Sequence, residues 1–487
     1  MIRERALLTS ADMLRALGYT GEALPLWSAW PVSEVVIDSR RTIPGALFVA
    51  LPGENLDGHD FVADAFSRGA LFGLVERAPA PSSDQAIPLI DLRPGSGRVD
   101  WLGIEPPLCL QVRDALAALQ QMARFWRRQL PQLGVIAITG SVGKSTTKEV
   151  VAKVLEQRFV TLKNPGNYNN EIGLPLTLLQ AGSQDERAVL EMGFYQPGEI
   201  AELCEMAAPR VGIVSNVGTV HAARAGSQAE IARGKAELVQ ALPPAPEGLA
   251  ILNHDDPWVR AMAAQTRARV LFYGLDWQAD LWADAIEARG LNGVAFNAHY
   301  GGDVWPVRMP LLGDHAVLTA LRAIAVGLAE GLSHEEIQAG LDQSDRSLRL
   351  SPLRTRNGAI ILDDSYNATP ESTLSALTLL STLPGHRIAI LGDMLELGPY
   401  EQAGHEQVGR RAAETIDELV TIGPRARTIA ASAVKAGLPA SAITSLDDVE
   451  EIFPSLGKLI KSGNVLLVKG SHGMRMDRLV KKIEESE

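Results

Sequence analysis

Cysteine is almost missing from this chain. Cys109 and Cys204 are the only two in 487 residues, too few for a disulfide framework and without metal-ligand spacing. No apolar run reaches the roughly 18 residues that a membrane-spanning helix needs. Asp12 and Arg15 interrupt any apolar stretch near the start that would serve as a cleavable signal. Positive charge is in deficit: 46 Lys and Arg stand against 58 Asp and Glu, a net charge of -12. That balance argues against non-specific nucleic-acid binding and against an anionic membrane surface. An anionic substrate then needs local cations or helix N-termini to offset the field. Internal repeats and low-complexity tracts are also absent. The expectation is a cytoplasmic protein, monomeric, with no nucleic-acid partner and no membrane insertion.

What the chain does have is a hydrophobic fraction of 46%, ample for globular cores. Its length fits about three domains of about 150 residues. Its organising stretch is V-I-A-I-T-G-S-V-G-K-S-T-T at residues 135–147. Residues 135–138 read as a short buried strand. A helix is expected from Thr146, with Val150, Val151, Val154 and Leu155 on its apolar face. Between them Thr139, Gly140, Ser141, Val142, Gly143, Lys144, Ser145 and Thr146 form a glycine-bounded turn. Gly140 and Gly143 let the backbone approach a phosphate, and a helix N-terminus supplies free amides and a favourable dipole. Lys144 would set a cation on the β- and γ-phosphates of a nucleotide, and Ser145 a hydroxyl on Mg2+. Only Ser141 and Val142 separate the two glycines, where the standard phosphate loop has four residues before its Gly-Lys pair. No G-x-G-x-x-G follows the strand, so a dinucleotide fingerprint does not apply. The bland alternative is an ordinary strand-to-helix turn.

Residues 1–110 read as a small α/β unit with a helix over 7–17, strands over 35–38 and 46–51, and a helix over 61–68. Ser39 and Arg40 lie in a polar loop that is either a surface turn or a hold on a ligand head group. Residues 78–107, rich in Pro, Ala and Ser, read as an insertion or linker. From 111 to 344 strands and helices alternate, which implies a mostly parallel sheet. An amphipathic helix over 112–129 leads into the phosphate loop. The stretch K-N-P-G-N-Y-N-N-E-I-G-L-P at 163–175 is a long solvated turn or a substrate-side loop carrying Asn167, Tyr168, Asn169 and Asn170. Glu191 ends a buried-looking strand over 188–193, where a carboxylate can hold Mg2+ or be a plain surface charge. His221 follows the strand over 211–216, and Lys235 sits on a helix over 231–238; each has an ordinary structural alternative. Asn253 ends another strand. A helix opens at Gly313-Asp314-His315 and runs through Leu328. From 345 to 487 a third α/β unit shows strands over 360–362, 388–391 and 465–468, each running into a polar loop. Three such loops on one edge would make a cleft.

In this order, D-S-R-R-T-I-P-G-A-L-F-V-A-L from 38, T-G-S-V-G-K-S-T-T-K-E from 139, N-Y-N-N-E-I-G-L-P from 167, L-E-M-G from 190, S-N-V-G from 215, D-D-S-Y-N-A-T-P from 363, L-G-D-M-L-E-L-G from 391 and V-K-G-S from 468 resemble the Mur ligase family of peptidoglycan precursor synthesis. The likeness covers nearly the whole chain. The D-N-P-R motif of diaminopimelate-adding members is absent. The resemblance implies an α/β fold of three domains. These are an N-terminal UDP-substrate domain over 1–110, a central parallel-sheet ATPase domain over 111–344 and a C-terminal Rossmann-like domain over 345–487. It implies ATP and Mg2+ as cofactors, and UDP-N-acetylmuramoyl-tripeptide and D-alanyl-D-alanine as partners. The implied reaction phosphorylates the peptide carboxylate and then lets the dipeptide amine displace phosphate.

By the same resemblance Ser145 and Glu191 match a first Mg2+ site and His221 a second, and Lys235 matches a lysine that the family carbamylates. Arg349 matches an interdomain arginine that reaches ATP. Asp364, Tyr366 and Asn367 match the nucleotide side of the third domain, and Asn253 a strand-end asparagine near the nucleotide. Val142 stands where relatives commonly carry a polar residue, Leu348 where Gly is usual, and Ala222-Ala223 in place of Leu-Glu. Ala316 and Thr319 replace both asparagines of a G-x-H-N-x-x-N helix start, which weakens the implied adenine contacts. None of these removes a group needed for phosphoryl transfer. Competing readings are a family ligase with another amino acid or acceptor, a non-catalytic nucleotide-gated binding protein or scaffold, and a motor-type or regulatory P-loop NTPase.

Overall fold

The computed structural model describes residues 8–21, 24–53, 56–79, 87–96, 99–219, 222–313, 315–344 and 351–485. His221, Asp314, Leu348 and Arg349 lie outside these residues. Three sheets organise the chain, as the α/β reading requires. The first joins β1 (Val35–Val36), β2 (Leu47–Val49), β3 (Phe72–Val75), β4 (Leu89–Asp91) and β5 (Leu108–Gln111) in the order β1-β2-β3-β5-β4. All its pairings are parallel. β4 falls inside the stretch read as a linker, which corrects that reading. A three-residue edge strand amid Pro and Ser carries too little alternation to stand out.

The second sheet has nine strands: β6 (Gly134–Thr139), β7 (Thr161–Lys163), β8 (Arg187–Glu191), β9 (Val211–Val214), β10 (Leu249–Asn253), β11 (Arg269–Gly274), β12 (Leu281–Ala288), β13 (Val294–Tyr300) and β14 (Asp303–Met309). Their order is β14-β13-β12-β11-β10-β9-β6-β8-β7. β9 to β12 pair parallel, and β12 to β14 form an antiparallel extension. All six residues of β6 are buried, the pattern of a parallel strand covered on both faces. β14 instead alternates exposed and buried positions along most of its length, as an edge with one wet face does.

The third sheet joins β15 (Ser351–Arg354), β16 (Ile360–Asp364), β17 (His386–Gly392), β18 (Glu418–Ile422), β19 (Ile443–Leu446) and β20 (Asn464–Lys469) in the order β15-β16-β20-β17-β18-β19. β15 is antiparallel and the other pairings parallel. Side chains in this sheet alternate between two cores. Ile388, Ile390, Leu466 and Val468 pack into one. Ala389, Leu391, Val465 and Leu467 pack into the other. That period of two forces helices onto both faces and fixes the register, since a one-residue slip would turn every apolar side chain around. Each fully buried Leu or Ile stabilises by about 1.5–3 kcal/mol.

By its internal contacts the chain divides into two compact units. The first holds Met1–Ala137, Phe159–Gly193 and Ala201–Arg210; the second holds Ile138–Arg158, Phe194–Ile200 and Val211–Glu487.

Candidate functional site

In the second unit the backbone past β6 can turn only because of its glycines. Gly140 has φ +146°, and a Cβ built there would lie 1.8 Å from Ser215 Oγ. Gly143 has φ +83° and is the N-cap of the helix Lys144–Leu155. That helix starts at Lys144 rather than at the expected Thr146, and no side chain caps its first turn. A helix start without a side-chain cap favours an external anion. Asn216 pins the turn from the side. Its Oδ1 accepts from the amides of Ser141 and Val142 at 3.1 and 2.8 Å, and its Nδ2 donates to the Val142 carbonyl at 3.0 Å. Ser215 Oγ donates to the same carbonyl at 2.8 Å. Lys144 folds back over the loop, donating to the carbonyls of Gly140 and Ser141 at 2.8 and 3.3 Å. The S-N-V-G motif was visible in the sequence, but its bracing role was not, because Ser215 and Asn216 lie more than seventy residues from the loop they hold.

Beside this turn opens a cavity of about 440 Å³. Val142, Gly143 and Thr146 line it from the loop, with Leu318, Thr319 and Arg322 facing them from the helix His315–Ala329. Asp364 and Glu371 line it from the end of β16 and the start of the helix Pro370–Thr382. Lys144 and Ser145 are not among its lining residues. The volume suits a purine and ribose, with apolar wall from Val142, Val217 and Leu318 and acceptors from Asp364 and Glu371. Thr319 takes its place in this wall where the sequence reading expects loss of an amide contact.

Lys235 is on the helix Gln228–Gln240, 1% exposed, with Nζ 4.9 Å from the centre of the Phe194 ring. Burial, and secondarily the positive charge of Lys144, hold its pKa well below the usual lysine value. A buried lysine biased toward the neutral amine is a nucleophile rather than a counter-ion. The Cys109 thiol offers no such chemistry. Burial pushes Cys109 up to about 12, which leaves it protonated.

In the third sheet the carboxyl ends of β16, β20 and β17 come together as expected. Lys469 Nζ donates to Asp364 Oδ2 at 2.5 Å and to the Asn367 carbonyl at 2.8 Å. Ser471 donates its amide to the Asp393 carbonyl and accepts at Oγ from the Leu395 amide. Of the residues expected to face the nucleotide there, Asp364 lines the cavity. Tyr366 is 56% exposed beside His472, and the Asn367 side chain accepts from the Ala368 amide. Asn253 donates to the Ser215 carbonyl at 3.0 Å and accepts from the Asp255 amide at 3.1 Å, so it braces the end of β9 and is not in the lining.

The first unit carries the other expected residues. Glu191, at the end of β8, is 2% exposed. Its Oε1 accepts from Asn169 Nδ2 at 2.8 Å, while its buried Oε2 has no hydrogen-bond partner among the described residues. Asn164, fully buried, ties the loop to the strand by accepting from the Glu191 amide and donating to the Glu191 and Tyr168 carbonyls. The asparagine-rich stretch is thus a braced loop around a carboxylate, not a solvated turn. Asn170 Oδ1 accepts at 2.9 Å from the amide of Gly173, the first residue of the following helix, Gly173–Leu178. Asn167 accepts at its carbonyl from the Asn169 amide.

Arg40 is exposed and bidentate to Asp38, whose carboxyl it holds down at about 2. Ser39 is buried. Arg41, which the sequence did not single out, donates to the Tyr168 hydroxyl at 2.8 Å and so joins the two loops read as substrate-side. A cavity of about 710 Å³ is also in this unit, between residues 17–21, 91–96 and the start of the helix Ala115–Gln129. Asp114 and Glu76 already cap that helix start, and none of the residues singled out from sequence lines the cavity.

Among the described residues no group of three or more His, Cys, Asp and Glu side chains gathers as a metal site. The expected ligand set draws on Ser145, on Lys235 and on His221, which lies outside those residues. The orphaned Oε2 of Glu191 is the feature that fits a divalent cation, since a buried carboxylate oxygen without a donor is strongly unfavourable alone.

Comparison with known proteins agrees with this geometry. Profiles of the Mur ligase family catalytic domain, the Mur ligase middle domain and the Mur ligase glutamate ligase domain match residues 31–89, 138–327 and 348–472. The chain is 32% identical over 470 residues to the UDP-N-acetylmuramoyl-tripeptide–D-alanyl-D-alanine ligase of Bacillus subtilis, covering 95% of this chain and 96% of that protein. It is 33% identical over 459 residues to the Escherichia coli protein of the same name, covering 93% and 94%. Among solved structures, MurF from Acinetobacter baumannii superposes with a TM-score of 0.83 at 29% identity, covering 99% of this chain and 100% of that one. MurF ligase from Thermotoga maritima in complex with ADP superposes at 0.75 and 26% identity, covering 93% and 98%. With such identity along almost its whole length, a phosphate loop that departs from the standard spacing but keeps its fold, and three sheets in the family's arrangement, the chain belongs to the Mur ligase family.

Proposed function

We propose that this protein is an ATP-dependent ligase that joins D-alanyl-D-alanine to UDP-N-acetylmuramoyl-tripeptide through an acyl phosphate. One observation carries the reading. Within one unit, an uncapped helix start bearing Lys144 borders a nucleotide-sized cavity, and the charge of Lys144 bears on the buried amine of Lys235. The names of the relatives above supply the substrates, and the Thermotoga maritima complex with ADP supports an adenine nucleotide.

A carboxylate resists attack by an amine because its leaving group would be oxide or hydroxide. Phosphorylation replaces that with phosphate. The peptide carboxylate attacks the γ-phosphoryl group of ATP, releasing ADP. The dipeptide amine then attacks the acyl carbon, loses a proton, and phosphate departs. Lys144 leaves its loop carbonyls to offset charge on the transferring phosphoryl group, and the free amides of the helix start hold the adjacent phosphate oxygens. Asp364 accepts from the ribose side of the cavity. We assign Ser145, Glu191, His221 and a carbamate of Lys235 as Mg2+ ligands by the family pattern. Mg2+ bound there would lower the repulsion between the two anionic reactants. The neutral amine of Lys235 is the form that attacks CO2, giving a carbamate anion and a proton. Arg349, Asn253, Tyr366 and Asn367 are assigned to the nucleotide, and Ser39, Arg40 and residues 167–170 to the UDP-peptide. The corresponding domains are 1–110 for the UDP-substrate, 111–344 for ATP, and 345–487 for the dipeptide with part of ATP.

The acyl phosphate is tested with tripeptide substrate carrying 18O in its reacting carboxylate. Transfer of one label into inorganic phosphate is the expected result. Label retained wholly in substrate and product would reject the intermediate.

A further inference from the structure

Arg322 lies on the helix His315–Ala329, between buried Ala320, Leu321, Ala323 and Ile324. It is 3% exposed and lines the cavity beside the phosphate loop. Apart from Thr319, the buried residues of this helix are apolar or glycine, so a guanidinium among them stands out. Its Nε donates to the Tyr273 hydroxyl at 2.7 Å and its Nη1 to Thr147 Oγ1 at 2.6 Å. Thr147 Oγ1 in turn donates to the Gly143 carbonyl at 2.7 Å. A Cβ built on Gly143 would lie 3.4 Å from Arg322 Nη1, so the guanidinium packs against the turn itself.

No carboxylate pairs with Arg322 among the described residues. The three carboxylates that share its cavity are engaged elsewhere. Asp256 accepts from the amides of Val217, Trp258 and Val259. Asp364 accepts from Lys469, and Glu371 from Thr369 Oγ1. A buried cation without a counter-ion is strongly unfavourable in the ligand-free protein. The same turn carries two further positive features, Lys144 and the uncapped helix start. All three are balanced at once when a polyanion arrives.

We propose that Arg322 is a positioning residue for the nucleotide phosphates: it fixes the Gly143 turn through Thr147 and holds inside the fold a charge whose counter-ion is the bound nucleotide. This rests on the nucleotide-dependent reading above. Arg322→Met keeps the length and removes the charge. It leaves both partners with a hydrogen bond, since Thr147 still donates to Gly143 and Tyr273 to the Ser215 carbonyl at 3.3 Å.

The test is equilibrium binding of ATP, ADP and AMP to the full chain and to Arg322→Met and Arg322→Lys, with melting temperatures of the ligand-free proteins. Arg322→Met is expected to weaken ATP and ADP by about tenfold or more while AMP changes little. Its ligand-free melting temperature is expected to stay level or rise, and Arg322→Lys to fall between it and the wild type. The deciding quantity is the ratio of ATP to AMP affinity, which folding damage alone does not move. An unchanged ratio in Arg322→Met overturns the proposal even if all affinities drop. A wild-type chain that binds no ATP would overturn the reading of function as well, so the two failures are distinct.

Discussion

Lys235 shows what a single side chain contributes here and what it demands. Its folded-state pKa is depressed, while in the unfolded chain it titrates near the ordinary lysine value of about 10.4. Between those two values the unfolded state binds more protons, so stability rises with pH across that window. Below it the full burden of keeping the amine buried remains. Lys235→Met removes this slope. In bicarbonate-free buffer we expect the variant to melt higher than wild type near neutral pH, with the difference closing as the pH approaches about 10. It should also lose ligation. A variant that melts lower at neutral pH, or shows the same pH slope as wild type, would contradict the buried-amine account. At this scale the sequence was informative where a residue sits in its own motif. Lys144 and Glu191 could be read from the strand-to-turn pattern around them. Asn216, Arg41 and Arg322 could not, because each acts on a segment distant along the chain: on residues 141–142, on Tyr168 and on Thr147 respectively. An arginine in an apolar helix face is nevertheless a signal that a closer reading of residues 315–329 would have flagged.

The element on which the site depends is the turn from β6 into the helix Lys144–Leu155. Its shape comes from two glycines and from Ser215 and Asn216 at the end of β9. Gly140→Ala places a methyl 1.8 Å from Ser215 Oγ at a backbone angle that L-residues rarely adopt. We expect a loss of about 3 kcal/mol or more in stability and loss of ADP binding, read by thermal unfolding and calorimetry. Adding Ser215→Gly should recover part of the stability by removing the clash. No recovery would mean that the angle, not the contact, sets the requirement. Elements of this kind were legible because strand, turn and helix are consecutive and their hydrophobic periods differ. The expected helix start was two residues late, since Lys144 and Ser145 look polar and turn-like while their backbone is already helical. β11 to β14 were not distinguished at all. Their strands alternate exposed and buried positions over short lengths, and the antiparallel pairing of β12, β13 and β14 is set by contacts between strands rather than by any one strand.

For the whole molecule, the net charge of -12 matters more than the fold class. ATP and a UDP-linked peptide are both anions, so binding depends on a few local positive features set against an unfavourable field. Those features are a backbone-derived helix start, the half-buried Lys144 and the buried Arg322. The α/β architecture was legible because strand and helix patterns alternate along the chain. The family was legible because its motifs occur at strand ends along nearly the whole chain. The edges of the sheets were not, and neither was the way the chain closes into two units by contact. The central claim is that ATP is spent only to join two substrates. It is tested most directly by phosphate release from ATP and Mg2+, with UDP-N-acetylmuramoyl-tripeptide and D-alanyl-D-alanine supplied together and each omitted in turn, and product mass read in parallel. Steady release is expected only with both present, with a product heavier than the tripeptide substrate by one dipeptide less water. Sustained release without the dipeptide, or no release with the complete mixture, would contradict it.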